Sequence, residues 1–238
     1  MNDNFNYKIN NIDPSEKKRF IRQLFDSIVP TYDLLNRLLS FGIDILWRRS
    51  IIRITHGVRD MAVLDLCCGT GDLSRILHRK GAELYSLDFS HEMILAGIKK
   101  QRLSGFTLVA DASLLPFKDN SFHIATIAFG IRNIPDIDYF LSESFRTLRP
   151  GGTIAILELT RPPNKIVRFI YRFYLNIFIP TIGRMISGQK EAYRYLSKTI
   201  STFVSPNDLC SMLNFTGFTD IKLYRKTLGT ATIITGKK

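Results

Sequence analysis

Acidic side chains stand at or near the ends of three predicted strands in the first half of the chain. Asp65 lies in a short apolar run, Asp88 closes the next apolar run, and Asp111 follows a third. A carboxylate at the tip of the second strand of an α/β fold is placed to accept hydrogen bonds from ribose hydroxyls. We therefore expect a nucleoside ligand at this edge of the predicted sheet.

A glycine-rich turn, Gly69-Thr70-Gly71, joins the first predicted strand, 61–66, to a helical pattern over 72–80. Glycine lets the backbone turn tightly and approach a ligand, and the helix start presents free N–H groups. The third glycine of a dinucleotide fingerprint is absent, because Gly71 is followed by Asp72-Leu73-Ser74. With acids at successive strand ends, this pattern favours S-adenosylmethionine (SAM) over NAD, since SAM has no pyrophosphate to bind.

A second group of polar residues, Gly130, Arg132 and Asn133, follows the predicted strand 122–128. Open α/β sheets bind their ligands beyond the carboxyl ends of such strands. The local pattern alone allows an equal alternative, in which Arg132 is a surface residue and Asn133 caps a helix.

Composition describes a globular protein. The chain has 238 residues, 45% hydrophobic and 23% charged, which suits one domain with a full core. Its three cysteines offer neither a disulfide framework nor a C-x-x-C metal pair, so we expect a reducing cytoplasm and no metal. The N-terminal residues do not have the pattern of a signal peptide, and arginines interrupt the most apolar later stretch, which argues against a transmembrane helix.

The formal net charge of +12 indicates an anionic partner. Nucleic acid and an anionic membrane surface are the two candidates. The sequence carries no RNA-binding signature and no long basic tail, and charge alone does not decide between them.

Strand and helix patterns alternate after residue 60, which predicts an α/β fold with a mostly parallel sheet flanked by helices on both faces. We expect an N-terminal helical cap over 1–60 and a second unit over 61–238 with a helical, aromatic insertion at about 161–200. Pro30 is expected to interrupt the first helix. The predicted elements after the cap are strands 61–66, 83–88, 106–110, 122–128, 153–158, 219–225 and 230–235, and helices 72–80, 91–101, 137–148 and 206–215. A hairpin between the last two strands would make one strand antiparallel.

The insertion carries an aromatic stripe at helical spacing, from Ile166 through Phe169 and Phe173 to Phe178. Such a stripe is usually core packing. The alternative is that it roofs a pocket for an apolar substrate.

Together these motifs resemble the ubiquinone/menaquinone biosynthesis C-methyltransferases, a branch of the class I SAM-dependent enzymes. The resemblance covers the chain from about residue 15 to its end. The segments that carry it most specifically are Tyr32-Asp33-Leu34-Leu35-Asn36, Phe129-Gly130-Ile131-Arg132-Asn133 and Glu191-Ala192-Tyr193-Arg194-Tyr195-Leu196. Ala128 departs from relatives that carry a serine near the cofactor.

The resemblance implies a seven-stranded Rossmann-like fold and SAM-dependent C-methylation of a polyprenylated quinol. It assigns catalytic roles to Tyr32, Arg132 and Asn133. It assigns the methionine end of SAM to Gly69, Thr70 and Gly71, the ribose to Asp88, and the adenine to Asp111 and Ala112. A lipid-bound substrate also implies peripheral association with the inner face of the cytoplasmic membrane, with no nucleic-acid partner. The choice between monomer and homodimer stays open, as does that between a naphthoquinol and a benzoquinol.

Other functions fit the sequence less well. An NAD-dependent oxidoreductase lacks its third glycine, an RNA methyltransferase lacks a base-stacking module, and a non-enzymatic relative would not need Arg132-Asn133. The remaining alternative is a SAM-dependent methyltransferase that acts on another hydrophobic small molecule.

Overall fold

A seven-stranded sheet in the order β3-β2-β1-β4-β5-β7-β6 forms the centre of the computed structural model. The model describes residues 14–182 and 190–238, with the side chains of 16–182 and 195–238. The helices are α1 Pro14–Leu39, α2 Ile43–Ile54, α3 Asp72–Arg79, α4 His91–Lys99, α5 Ile137–Thr147, α6 Lys165–Phe173, α7 Lys190–Thr202 and α8 Pro206–Thr216. The strands are β1 Ala62–Leu66, β2 Glu83–Asp88, β3 Phe106–Val109, β4 Phe122–Ala128, β5 Leu148–Leu159, β6 Thr219–Lys226 and β7 Ala231–Lys237.

The first five strands pair in parallel, and β7 runs antiparallel to both β5 and β6. Parallel strands need a crossover connection, which helices provide except between β3 and β4, where a loop crosses over, whereas β6 and β7 are joined by a short 3₁₀ turn, Thr227–Gly229. The predicted α/β class and the single antiparallel strand are both confirmed.

Two apolar layers cover the sheet. One contains Phe122, Phe140 and Phe218 with the β4 and β5 side chains of that face, and the other contains Trp47 and Leu77. A third cluster joins α1 to the insertion through Ile28, Leu35, Leu175, Ile179 and Ile200. The N-terminal helix α1 therefore lies near the sheet and packs against the insertion.

The expected break at Pro30 is wrong, because α1 runs through it without interruption. A proline in a helix loses one backbone hydrogen bond and crowds the preceding turn. Here Pro30 is exposed, while Ile28 and Leu35 on either side of it are buried in the third cluster. Tertiary packing on both sides of the proline holds the helix together.

Strand β5 begins five residues earlier than predicted, at Leu148 rather than at residue 153. The register between β4 and β5 shifts where Phe122 pairs with Leu148 and Ile124 pairs with Thr153, as at a bulge. Gly151 takes a left-handed φ of 77° there, and its N–H donates to the carbonyl of Lys238.

No helix of residues 14–182 and 190–238 is long and apolar enough to span a bilayer.

Candidate functional site: two cavities that share a wall

The carboxyl ends of β1 and β2 are joined by the side chain of Asp88. Its Oδ2 accepts from the Gly69 N–H at 2.8 Å and its Oδ1 from the Ser90 N–H at 2.9 Å. Gly69 has a φ of +56°, and a β-carbon there would meet only the ring of Tyr32, at 4.0 Å. Burial raises the pKa of Asp88 to about 6, against the two backbone hydrogen bonds. Asp88 therefore holds the backbone of the glycine turn in place, and the turn borders open space at Gly69.

That open space, the strand-end cavity, holds about 740 Å³ including the solvent at its mouth. Four predicted cofactor residues line it, namely Gly69, Asp88, Asp111 and Ala112. The other lining residues come from α1, the β1 and β2 ends and the β4 loop: Lys18, Ile21, Phe25, Tyr32, Cys67, Leu87, Phe89, Met93, Ala128, Phe129, Gly130, Asn133, Ile134 and Pro135.

An ion pair crosses this cavity from α1. Lys18 Nζ lies 2.5 Å from Asp111 Oδ2, while Asp111 Oδ1 accepts from the Ser113 N–H. Burial alone would raise the pKa of Asp111, but the bond from Lys18 holds it below its usual value. No local pattern in the sequence marked Lys18 as a site residue, because its partner lies 93 residues away.

The second cavity, the aromatic cavity, is larger, at about 1580 Å³ including its mouth. It lies between α1, α2 and the insertion. Its walls are mostly apolar and include Leu24, Ile28, Leu35, Leu39, Phe41, Ile43, Trp47, Leu159, Val167, Ile170, Tyr171, Tyr174, Leu175, Ile179 and Leu196. All three predicted catalytic residues line this cavity, and Arg132 is the one of the three that does not also line the strand-end cavity.

The two cavities share Phe25, Tyr32, Phe129 and Asn133. Burial raises the pKa of Tyr32, against the charge of Arg48, so its phenol is neutral at physiological pH. The Asn133 carbonyl oxygen accepts from the hydroxyl of Tyr195 at 3.2 Å, which orients the amide. The structure thus brings Tyr32 and Asn133 together at the common wall.

Arg132 pairs with a buried partner, Glu158 at the end of β5. Its Nη1 donates to Glu158 Oε1, which also accepts from the Leu159 N–H at 2.7 Å. Burial raises the pKa of Glu158, against the charge of Arg132. Among the described residues the buried Arg132 Nε has no hydrogen-bond partner. The alternative of Arg132 as a surface residue is wrong.

Phe129, which sequence reasoning did not single out by itself, forms part of the common wall. It has a φ of +63°, unusual for a side chain of this size, and such strain clusters at functional sites. Its ring lies 6.1 Å from that of Trp47, and the Arg48 guanidinium stands 4.8 Å above it. A positive φ cannot be read from sequence, so no local signal marked this residue.

Thr70 and Gly71 do not line the strand-end cavity. The Thr70 hydroxyl donates to Asp33 Oδ1 at 2.6 Å, and Gly71 caps α3 with a left-handed φ of +82°. Glycine is favoured there because other residues rarely adopt this φ, and a β-carbon would also lie 2.8 Å from the end of the Leu103 side chain. Their direct contact with a cofactor stays a prediction. Among the described residues, no three Asp, Glu, His or Cys side chains form a candidate metal site.

Sequence comparison identifies the family. The model of the ubiE/COQ5 methyltransferase family matches residues 12–238. A demethylmenaquinone methyltransferase of Thermus thermophilus is 40% identical over 220 residues, covering 90% of this chain and all of the relative. The ubiquinone/menaquinone biosynthesis C-methyltransferase UbiE of Geobacter sulfurreducens is 38% identical over 232 residues, covering 94% of this chain and 90% of the relative.

Solved structures agree at the level of the fold. A SAM-dependent methyltransferase from Thermotoga maritima is similar with a TM-score of 0.65 at 18% identity, over 91% of this chain and 99% of that one. A phosphoethanolamine N-methyltransferase from Haemonchus contortus, solved with SAM, has a TM-score of 0.58 at 15% identity, over 80% of this chain and 52% of that one. The seven-stranded sheet with its antiparallel β7 is thus the class I methyltransferase fold, and the chain belongs to the ubiE/COQ5 methyltransferase family.

Proposed function

We propose that this protein transfers the methyl group of SAM to a ring carbon of a polyprenylated quinol. The observation that carries the proposal is the common wall of the two cavities at Phe25, Tyr32, Phe129 and Asn133. Methyl transfer requires the donor carbon and the attacking carbon to lie in line within about 3–3.5 Å. A donor in the strand-end cavity and an acceptor in the aromatic cavity would meet at this wall.

The residues of the strand-end cavity fit the donor. SAM supplies an electrophilic methyl on its sulfonium. The Asp88 carboxylate keeps lone pairs for ribose hydroxyls in addition to its two backbone bonds. Asp111 and Ala112 would border the adenine, and Gly69 leaves room for the methionine end. Thr70 and Gly71 would act through the shape of the turn.

The chemistry of the acceptor explains why we propose the quinol and not the quinone. A phenol that loses its proton pushes electron density onto the ortho carbon. That carbon forms a bond to the methyl as the sulfur–methyl bond breaks, and the ring then loses a proton from the same carbon and becomes aromatic again. A quinone has no such electron pair to donate.

Three residues of this chain would support that step. Arg132, fixed by Glu158 beside the aromatic cavity, stabilises negative charge on the ring oxygen. Asn133 and the neutral phenol of Tyr32 hold the ring hydroxyl, or a water that takes its proton.

The substrate would carry its prenyl tail in the aromatic cavity, whose walls are mostly aliphatic and aromatic. Names of relatives support this class of acceptor, because they refer to demethylmenaquinone or to ubiquinone and menaquinone biosynthesis. A tailed quinol resides in a bilayer, so we also propose peripheral association with the anionic inner face of the cytoplasmic membrane. The net charge of +12 supports attraction to that surface.

The test is a methylation assay with SAM carrying a deuterated methyl group. The acceptors are a prenylated demethylnaphthoquinol, a prenylated benzoquinol that lacks the ring methyl, and both compounds in their oxidised form. We expect a labelled methyl on a ring carbon of at least one quinol and none on either quinone. Label on the quinones, or on neither quinol, would contradict the proposal and favour another hydrophobic acceptor.

A further inference from the structure

The insertion turns one face of a helix to solvent although that face is apolar. Four side chains at helical spacing in 165–178 are largely exposed: Ile166 at 73%, Phe169 at 76%, Phe173 at 61% and Ile177 at 51%. We name these four residues the outer stripe. The expectation that the aromatic stripe of the insertion is core packing is therefore wrong for this side of the helix. Its opposite side, with Tyr171, Tyr174 and Leu175, lines the aromatic cavity.

The exposed apolar surface, which we call the patch, extends beyond the outer stripe to Phe41. Phe41, in the turn between α1 and α2, is 72% exposed, and its ring stacks on Phe178 with centroids 6.5 Å apart. Phe41 also lines the aromatic cavity, as does the exposed Ile170. Residues that are both exposed and cavity-lining mark a mouth, so the aromatic cavity opens within the patch.

The charged residues of the segment that carries the outer stripe are of one sign. The chain from 159 to 182 contains no Asp or Glu and holds Arg161, Lys165, Arg168 and Arg172. Lys165 and Arg172 are exposed on the same helix as the outer stripe. An exposed apolar face edged by cations is the pattern of a helix that lies in the interface of an anionic bilayer. A second copy of this chain would bring like charges together on that face.

We propose that the outer stripe and Phe41 insert into the surface of an anionic lipid bilayer, so that the mouth of the aromatic cavity faces the acyl chains. The inference rests on the proposed function for its substrate and goes beyond it in naming the surface. A prenylated quinol would then pass from the bilayer directly into the aromatic cavity without crossing water. Burial of the stripe, in addition to charge, holds the protein at the membrane.

The first experiment places a fluorescent tryptophan in the outer stripe. Phe169→Trp is compared with Phe215→Trp, because Phe215 is 92% exposed on α8 and borders neither cavity. Both are mixed with phosphatidylcholine–phosphatidylglycerol vesicles that contain brominated acyl chains, and the emission of the wild type, which has only Trp47, is subtracted. We expect a blue shift and quenching at residue 169 and neither at residue 215. Equal responses at the two sites would overturn the proposal.

The second experiment removes the apolar contact. Phe169→Asp/Phe173→Asp should lower vesicle partitioning by about 100-fold or more, since it removes two phenylalanines and each contributes about tenfold or more when buried. Phe215→Asp should leave partitioning unchanged. Turnover of a long-tailed quinol in vesicles should fall with partitioning, whereas turnover of a short-tailed quinol in solution should stay at the wild-type value, because neither Phe169 nor Phe173 lines a cavity.

The outcomes separate this inference from the proposed function. If the enzyme methylates neither quinol but the probe at residue 169 is quenched, the proposed membrane-binding face is correct and the proposed quinol substrate is wrong. If both quinols are methylated and the double variant partitions like the wild type, the face is wrong. A wild-type dimer in solution that the double variant converts to a monomer, with unchanged partitioning, would identify the face as a subunit interface and overturn the proposal.

Discussion

Thr70 and Asp33 are joined by a hydrogen bond of 2.6 Å, which ties the glycine turn after β1 to helix α1. The other oxygen of Asp33 lies 2.8 Å from Lys100 Nζ and 2.6 Å from Arg102 Nη1. Burial alone would raise the pKa of Asp33, but the bonds from Lys100 and Thr70 and the charge of Arg102 hold it below its usual value. The helix that carries Tyr32 is thus held against the turn by a carboxylate next to Tyr32.

Asp33→Asn tests that attachment, because it keeps the shape of the side chain and removes its charge. Charge-assisted hydrogen bonds contribute about 1.5–3 kcal/mol, which corresponds to a loss of about 3–12 °C in melting temperature for a chain of this size. Asp220→Asn is the control, since Asp220 also contacts two lysines but lies on the exposed surface. We expect calorimetry to show a lower melting temperature for Asp33→Asn only; equal melting of both variants would disprove the attachment.

The Arg132–Glu158 pair allows catalysis and stability to be separated. Arg132→Ala leaves a carboxylate buried without its partner, which costs about 3–5 kcal/mol of stability. Arg132→Ala/Glu158→Gln removes the buried charge and keeps an acceptor for the Leu159 N–H. We expect the double variant to recover most of the melting temperature, while its kcat stays about 100-fold below the wild type, as after loss of one oxyanion donor. SAM affinity, measured by calorimetry, should hardly change.

A double variant that recovers kcat together with stability would assign Arg132 to the scaffold and not to the reaction. Arg132→Lys gives a further comparison. It should restore only part of the rate, because an ammonium keeps the charge but lacks the planar fork of the guanidinium.

The ionisation of Asp88 predicts how SAM binding depends on pH. Its pKa of about 6 lies above the ordinary value of 3.8, so the carboxyl gains a proton as the pH falls through about 6. The protonated group loses part of its capacity to accept ribose hydroxyls. We expect SAM affinity, measured by calorimetry, to be full above about pH 7 and to fall below about pH 6.

Asp65 supplies the control for this pH dependence, because burial raises its pKa to about 6 as well. Its carboxylate accepts from the hydroxyls of Ser74 and Thr126 and does not line the strand-end cavity. Asp65→Asn should therefore keep the fall in SAM affinity below about pH 6. If the SAM affinity of Asp65→Asn did not change with pH, the pH dependence would be assigned to Asp65 and not to Asp88.

The phenol of Tyr32 can be tested against a second buried tyrosine. Tyr32→Phe removes a hydroxyl at the common wall of the two cavities, and loss of one neutral hydrogen bond corresponds to about a tenfold lower kcat. Tyr171→Phe is the matched control, because Tyr171 lines only the aromatic cavity. Single-turnover methylation should show a slower step for Tyr32→Phe alone. Equal rates for the two variants would remove Tyr32 from the reaction.

The sheet, the glycine turn and the acids that border it could all be predicted from the amino-acid sequence. These depend on apolar periodicity and on residues close together in the chain, such as the run from Asp65 to Gly71. The family resemblance also identified Tyr32 and Asn133, which the fold brings to one wall. Local chemistry was sufficient for the acids at the strand ends because the carboxyl ends of parallel strands meet at the same edge of a sheet, whereas Tyr32 on α1 was predicted from the resemblance alone.

The partners of those residues, in contrast, depend on how distant segments of the chain fold together. Glu158 pairs with Arg132 across 26 positions, Lys18 with Asp111 across 93, and Thr70 with Asp33 across 37. The passage of α1 through Pro30 depends on packing against the insertion, which is distant in sequence. The exposure of the outer stripe is equally non-local, because helical spacing predicts an apolar face but not what covers it. Contacts between distant segments therefore set the charge of the site and the side on which its larger cavity opens.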